Sequence, residues 1–166
     1  MSACTDSEPR VARVPPPSES REAEALIEVS ADELFDRIRA RDADFVVLNV
    51  WSTWCGPCRE EFPYVQSVTR SFQKRGVSLM FVSTDFDSER DEAVRFLREQ
   101  NADLPSYIKV GPDDAFINAV HPEWNGALPA TVIFDRNGDR VKSWMGKVKE
   151  EELRTSLQEL VEAKST

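Results

Sequence analysis

Residues 51–58 read WSTWCGPC, and this stretch decides both the fold and the chemistry that the chain can support. It follows a continuous apolar, β-branched run at residues 45–51, which is typical of a buried central strand. It precedes a segment whose apolar residues recur at helical spacing. Two thiols that lie three residues apart at the start of a helix can close a small disulfide ring. The stretch therefore predicts a strand-to-helix junction that carries a redox-active cysteine pair.

The two cysteines are predicted to have different roles. Cys55 falls at the helix N-terminus, where unpaired N–H groups and the helix dipole favour an anion, so its thiolate should be stabilised and reactive. Cys58 lies one turn further into the helix and should be less exposed, which suits a resolving thiol. Gly56 and Pro57 between them let the chain turn tightly and enter the helix. The expected chemistry is attack by Cys55 on a disulfide, followed by release of the mixed disulfide by Cys58.

Helical and strand patterns alternate on both sides of this motif. A capping box at residues 30–33 opens a helix that carries Leu34, Phe35 and Ile38 on one face. The predicted strands cover residues 45–51, 77–84, 107–110, 131–134 and 140–144, and the predicted helices cover residues 55–75, 88–100, 112–120 and 148–163. The βαβα beginning requires a parallel pair with a right-handed crossover, and the ββα end adds an antiparallel hairpin. This order predicts an α/β sandwich with a mixed sheet.

Composition narrows the classes of partner. The chain has 166 residues, with 21 Lys and Arg against 30 Asp and Glu, so its formal net charge is −9. Such a chain repels nucleic acid and anionic lipid, and we expect neither as a partner. No apolar run approaches the ~20 residues that a membrane helix needs. Residues 1–24 are rich in proline and poor in large apolar residues, so they predict a disordered tail ahead of one domain at residues 25–166.

Other interpretations of the cysteine pair remain open at this point. A Cys-x-x-Cys is also half of a zinc site, but zinc prefers four ligands, and only Cys4 and His121 could complete the set. Two merely structural thiols are the second alternative. The position at a strand-to-helix junction favours redox chemistry over both, so we expect no metal and no cofactor.

Residues 48–63, LNVWSTWCGPCREEFP, resemble the thioredoxin superfamily and, more narrowly, the extracytoplasmic TlpA/ResA-type thiol–disulfide oxidoreductases. The WCGPC core is specific for the superfamily, whereas the REEFP extension and Asn49, in place of an aspartate, indicate the subgroup. The likeness continues through residues 76–77, 82–85, 127–131, 137–139 and 146, and it covers roughly residues 45–163. It implies a thioredoxin-like three-layer sandwich, in which a mixed sheet is flanked by helices. It also implies an inserted strand and helix in the long segment between Thr84 and Leu128.

The resemblance implies roles for residues outside the cysteine pair. Pro129 matches the cis-proline that packs beside the disulfide, and the backbone of Leu128 would pair with a substrate strand. The apolar patch that docks the substrate peptide would involve Trp54, Gly56, Pro57, Leu128 and Gly146. An ordinary trans proline is the alternative for Pro129, and a plain core residue is the alternative for Trp54.

Glu61 matches an acidic residue that lies near the thiols in this subgroup. Cys58 must lose its proton before it attacks the mixed disulfide, and a buried thiol resists ionising. Asn49 occupies the strand position where related proteins keep a buried acid, and an amide cannot titrate. Glu61, three residues after Cys58, is the nearest candidate for a proton acceptor, and partial shielding should raise its pKa. The alternative is that Glu61 belongs to a solvated helix face.

The resemblance implies an enzyme that reduces protein disulfides, because the Gly-Pro dipeptide between the cysteines is like that of reducing members. Its partners would be protein thiols and disulfides, such as apocytochrome c or other exported proteins, and an upstream electron donor, and the chain would act as a monomer. A dithiol oxidant, a redox-inactive binding module and a copper chaperone that uses Cys55, Cys58 and His121 are the alternatives. A peroxiredoxin is disfavoured, because its peroxidatic cysteine is flanked by threonine. Trp124, close to His121, is a candidate for shaping the substrate face.

Residues 1–4, MSAC, resemble the end of a lipoprotein signal, in which small residues precede a lipidated cysteine. The apolar stretch that should precede such a cysteine is not in the sequence. A lipid anchor on Cys4 with a Pro-rich tether would place the domain outside the cytoplasm. If Cys4 is instead a stray thiol, the protein could be cytoplasmic, where its thiols would stay reduced.

Overall fold

The central sheet is built around strand β2, Phe45–Trp51, in a computed structural model that describes residues 25–166. Every side chain of β2 is buried, as its unbroken apolar run predicts. On one side β2 pairs in parallel with β3, Val77–Ser83, and on the other it pairs antiparallel with β5, Ala130–Asp135. The predicted mixed sheet is therefore confirmed.

The remaining strands extend the sheet at both edges. They are β1 at Leu26–Val29, β4 at Ser106–Lys109 and β6 at Arg140–Met145, and the six strands follow the order β1-β4-β3-β2-β5-β6. β4 pairs in parallel with β3 and β1, whereas β6 forms the antiparallel hairpin with β5. The sequence pattern does not predict β1, because its four residues, LIEV, are too few to show a period.

Helices cover both faces of the sheet within residues 25–166. They are α1 at Ala31–Arg39, α2 at Gly56–Ser71, α3 at Arg90–Glu99, α4 at Asp113–Val120 and α5 at Glu150–Lys164. One apolar core lies between the sheet and α2, α3 and α5, and a second lies between the sheet and α1 and α4. The three-layer α/β sandwich is confirmed, and the predicted inserted strand and helix are β4 and α4.

Three helices differ from the predicted ones by more than one residue at a boundary. The predicted helix at residues 55–75 is α2 followed by a short 3-10 turn at Gln73–Arg75, with Cys55 as its N-cap. The helix predicted from residue 88 begins at Arg90, after a second 3-10 turn at Asp87–Glu89. The last helix begins at Glu150 rather than at Val148, since both backbone groups of Val148 bond to side chains of α2.

The predicted capping box at the first helix is confirmed, because the Ser30 hydroxyl and the Glu33 carboxylate cap each other's backbone N–H groups. Among residues 25–166, no helix is long and apolar enough to cross a membrane. The tail predicted at residues 1–24, with the proposed lipid attachment at Cys4, lies outside the described residues.

Candidate active site

The cysteine pair lies where β2 ends and α2 begins, and it forms a disulfide. Cys55 and Cys58 are bonded, and their Cα atoms are 5.3 Å apart. Cys55 is the N-cap of α2, and its Sγ accepts the backbone N–H of Cys58 at 3.3 Å. Cys55 is 6% exposed to solvent, whereas Cys58 is 0% exposed. The outer sulfur therefore has both the greater access and the hydrogen bond that would stabilise a thiolate.

An aromatic cluster beneath the motif supports the start of α2. The Phe62 ring stacks on Phe81 of β3 with centroids 3.9 Å apart, and it meets Trp51 of β2 edge-on at 5.3 Å. Phe96 of α3 contacts both Trp51 and Phe62 at 5.1 Å. Because these rings are buried and belong to four different elements, they fix the first turns of α2 against the sheet.

Glu61 is buried behind the dithiol, so the alternative that it belongs to a solvated helix face is wrong. Its side chain is 0% exposed, and it lies one helical turn after Cys58, which is equally buried. Asn49 Nδ2 donates to Glu61 Oε1 at 2.7 Å, and the backbone N–H of Val148 donates to Glu61 Oε2 at 3.0 Å. Burial outweighs these two hydrogen bonds and raises the pKa of Glu61 to about 7. The expectation of a raised pKa is confirmed.

Pro129 lies at the same end of the sheet as the cysteines. The Leu128–Pro129 bond is cis, as predicted, and the alternative of a trans proline is wrong. Because Val50 pairs with Ala130, the residue before Ala130 is placed beside the end of β2, from which the cysteine loop departs. The Pro129 carbonyl accepts the N–H of Gly146 at 2.9 Å. Gly146 has φ +112°, a backbone conformation that L side chains rarely adopt, so the turn at this point favours glycine even though a Cβ there would contact no other atom.

A cavity of about 600 Å³ opens beside the motif. Its apolar lining comes from the motif, from α4 and from the loops around them: Trp54, Phe86, Phe116, Ile117, Trp124 and Leu128. Trp54 is 61% exposed, so the alternative that it is a plain core residue is wrong. Gly56 and Pro57 are also exposed at the tip of the motif. The structure thus leaves apolar surface uncovered at Trp54, the residue before Cys55.

His121 belongs to a different local arrangement. It caps the C-terminus of α4, and its Nδ1 accepts the backbone N–H of Glu123 at 3.1 Å. In the described part of the chain, no three or more His, Cys, Asp or Glu residues are grouped so that they could hold a metal ion. Trp124, next in this loop, is buried against the cavity, and its Nε1 donates to the Ala127 carbonyl at 2.8 Å.

Sequence reasoning missed one buried polar residue of the motif's surroundings. Asp85 follows β3, and its carboxylate accepts the backbone N–H and the hydroxyl of Thr53, two residues before Cys55. The available signal was the run of polar residues 83–85, which ends with an aspartate directly after a buried strand. A buried polar residue such as Asp85 can be sought by asking which backbone N–H groups of the motif have no carbonyl acceptor on a neighbouring strand.

Comparisons with known proteins agree with this geometry. Residues 22–142 match the model of the AhpC/TSA family. The thiol-disulfide oxidoreductase ResA of Geobacillus thermodenitrificans (strain NG80-2) is 30% identical over 115 residues, and that of Bacillus cereus (strain ZK / E33L) is 29% identical over 116 residues. In both comparisons the match covers 69% of this chain and 62% of the relative, so the chain spans less than two thirds of the curated relatives' length.

A solved structure shows the same fold. The thioredoxin-related protein from Neisseria meningitidis serogroup B superposes with a TM-score of 0.62 at 25% sequence identity, covering 76% of this chain and 90% of that protein. The family match extends from β1 into β6 and includes the dithiol motif. The resemblance to thioredoxin-like, ResA-type proteins is confirmed, and the chain belongs to the AhpC/TSA family of the thioredoxin fold.

Proposed function

We propose that the protein is a thiol–disulfide oxidoreductase that reduces protein disulfides through Cys55 and Cys58. The observation that carries this proposal is the disulfide at the N-terminus of α2, next to an open cavity that is lined by Trp54, the residue before Cys55. The relatives named thiol-disulfide oxidoreductase ResA support the same chemistry.

The reaction follows from the two sulfur environments. In the reduced protein the Cys55 thiolate attacks one sulfur of a substrate disulfide, forms a mixed disulfide and expels the other substrate sulfur as a thiolate. The Cys58 thiolate then attacks Cys55 Sγ and expels the second substrate thiolate. Two electrons pass from the dithiol to the substrate, and the Cys55–Cys58 disulfide remains. An upstream dithiol donor must reduce it again before the next cycle.

Glu61 serves in this scheme as the acceptor of the Cys58 proton. With a pKa of about 7, it is partly ionised near neutral pH and can both take up and release a proton. Asn49 can hydrogen-bond to either protonation state of Glu61. Its Nδ2 donates to the carboxylate, and its buried Oδ1 has no hydrogen-bond partner among the described residues. A flip of the amide would let Oδ1 accept a hydrogen bond from the protonated acid.

The substrate surface lies around the outer sulfur. Trp54, Gly56 and Pro57 form the exposed tip, and Leu128 lines the cavity on the other side. Two loops, one holding Pro129 and the other Gly146, are hydrogen-bonded to each other at this end of the sheet. An extended peptide carrying a disulfide would lie across this tip, with the backbone of Leu128 as its partner and Pro129 beside the sulfurs.

The direction and the setting of the reaction belong to the same proposal. The Gly56-Pro57 dipeptide, which resembles that of reducing members, supports reduction rather than oxidation. Suitable substrates are apocytochrome c and other exported proteins with disulfides. The protein would act outside the cytoplasm as a monomer, attached through a lipid on Cys4.

Trapping tests the activity and the roles of the cysteines together. In a Cys4→Ser background, the reduced protein should catalyse the reduction of insulin disulfides by dithiothreitol, and Cys55→Ser should abolish the catalysis. Cys58→Ser should also stop turnover but accumulate a mixed disulfide on Cys55, visible by mass spectrometry. Absence of catalysis in the parent protein, together with tight binding of Cu(I) by its dithiol, would instead favour the copper chaperone.

A further inference from the structure

A buried carboxylate at the end of β3 takes no part in the reaction scheme above. Asp85 is 3% exposed, and its Oδ1 accepts the Thr53 hydroxyl at 2.6 Å, while its Oδ2 accepts the Ser83 hydroxyl at 2.6 Å. The backbone N–H of Thr53 donates to both carboxylate oxygens, at 2.9 and 3.1 Å. Two donors of one residue thus bind the same buried side chain, which joins Asp85 firmly to Thr53.

These hydrogen bonds continue the sheet into the active-site loop. The pairing of β2 with β3 ends at Trp51 and Ser83, after which the N–H of Thr84 donates to the carbonyl of Trp51 at 2.8 Å. Further along the loop, the N–H of Thr53 meets the Asp85 side chain instead of a strand carbonyl. The carboxylate therefore replaces a backbone acceptor where the strand has already ended.

Thr53 is also held from the side of α2. Arg59, the residue after Cys58, donates from Nη1 to the Thr53 carbonyl at 3.3 Å, and its guanidinium lies 4.5 Å from the ring centroid of Phe96. The N–H, the hydroxyl and the carbonyl of Thr53 are thus all engaged, the first two by Asp85. Trp54 and Cys55 follow directly, so the placement of Thr53 limits the positions that both can take.

We propose that Asp85 is a positioning residue for the dithiol, which acts by holding Thr53 and so directs Cys55 and Trp54 toward the substrate. This inference rests on the proposed function. A thiolate must approach a protein disulfide in line with the bond that breaks, and a misplacement of about 1 Å at such a centre can cost about 100-fold in rate. A small alkylating reagent is also attacked in line with its carbon–halogen bond, but it is free to rotate into that alignment without being held by the protein. Asp85 should therefore matter for protein disulfides far more than for alkylation.

The test compares Asp85→Asn, Thr53→Val and the double variant in insulin reduction and in alkylation of Cys55 by iodoacetamide. We expect Asp85→Asn to lower kcat/KM for insulin about 10- to 100-fold. Its rate of Cys55 alkylation should stay within about threefold of the parent rate, since thiolate formation depends on the helix N-terminus. Because both residues act through one contact, the double variant should lose little more than Asp85→Asn alone.

Three controls separate positioning from general loss of structure. Thr53→Ser keeps the hydroxyl and should retain nearly the parent kcat/KM. Asp44→Asn removes a carboxylate that precedes β2 at the opposite end, where it binds Arg136 at 2.7 Å, and should leave kcat/KM unchanged. Amide hydrogen exchange at residues 53–55 should accelerate in Asp85→Asn but not in Asp44→Asn.

The outcomes distinguish this inference from the proposed function. A parent protein that reduces no protein disulfide would refute the proposed function, and the exchange measurement would still decide whether Asp85 fixes the loop. Parent-like kcat/KM in an active Asp85→Asn protein would overturn the inference. Unchanged exchange at residues 53–55 would also overturn it, as would losses that multiply in the double variant.

Discussion

Two buried carboxylates serve the active-site motif, and their surroundings differ. Glu61 lies between α2 and the loop before α5, where each of its oxygens accepts one hydrogen bond, from Asn49 and from Val148. Asp85 lies at the end of β3, where its two oxygens accept the N–H and hydroxyl of Thr53 and the hydroxyl of Ser83. Glu61 is buried one turn after Cys58 in α2, whereas Asp85 contacts the loop that leads to Cys55.

The difference teaches how one functional group, a buried carboxyl, can have two uses at a single site. Burial raises the pKa of Glu61 to about 7, because its two hydrogen bonds only partly offset the cost of a buried charge. Such a group can exchange a proton near neutral pH. Asp85 instead binds both the N–H and the hydroxyl of Thr53 in the active-site loop, which suits the positioning role proposed for it. The number and origin of the donors therefore separate proton transfer from positioning.

The largest effect is expected from Glu61→Gln, which removes the proton acceptor while keeping the shape of the side chain. General acid–base groups typically contribute about 10²- to 10⁴-fold, so kcat for disulfide reduction at pH 7 should fall by about 100-fold or more. The apparent thiol pKa should also fall, because the neighbouring negative charge is gone. The measurement is the pH–rate profile from pH 5 to 9, in which the parent rate should rise through about pH 7.

The matched control is Glu60→Gln, which removes an exposed carboxylate of the same helix that pairs with Lys147 of the loop before α5. A third variant, Asn49→Asp, introduces an acid on the central strand. If Glu61→Gln left the thiol titration and the rate unchanged, the contrast between the two carboxylates would fail, and water would have to accept the proton.

The second prediction concerns stability against pH. The pKa of Glu61 is raised in the folded protein from 4.5 to about 7, so the folded state binds more protons than the unfolded state between these values. The contribution of Glu61 to stability is therefore full below pH 4.5 and declines as the pH rises toward 7. The loss amounts to about 3 kcal/mol, at about 1.4 kcal/mol for each pH unit.

Chemical denaturation of the parent and of Glu61→Gln, each measured at several pH values, checks this prediction. The difference between their free energies of unfolding should change by about 3 kcal/mol in favour of Glu61→Gln as the pH rises through this window. A difference that is independent of pH would mean that the carboxyl is not buried as the structure has it. Glu60→Gln should show only a small change, because its carboxylate is exposed.

The third and smallest effect concerns the two sulfurs themselves. In the reduced protein near neutral pH, iodoacetamide should label Cys55 at least about 10-fold faster than Cys58, because the thiolate at a helix N-terminus is stabilised. Peptide mass spectrometry after short labelling times gives the two rates, and the unfolded protein, in which the rates should be similar, is the control. Faster labelling of Cys58 would reverse the roles assigned to the two cysteines.

Parts of the fold and of the site could be predicted because their sequence signals are local. The capping box at Ser30 and the cysteine pair at a helix start each depend on a few consecutive residues, and the structure confirms both features. The raised pKa of Glu61 was also expected, since one turn of helix separates it from Cys58. The short strand β1 escaped prediction because its pairing with β4 lies far along the chain.

The sequence by itself determined the α/β alternation, the position of the dithiol at a strand-to-helix junction and the candidate acid behind it. These features follow from hydrophobic period, helix capping and motif spacing, which act over a turn or a strand. Only the tertiary structure decided that Asp85 holds Thr53, 32 residues away, and that Glu61 meets the N–H of Val148, 87 residues away. Such contacts depend on how the ends of distant strands meet, because burial and the supply of hydrogen-bond donors are properties of the packed chain.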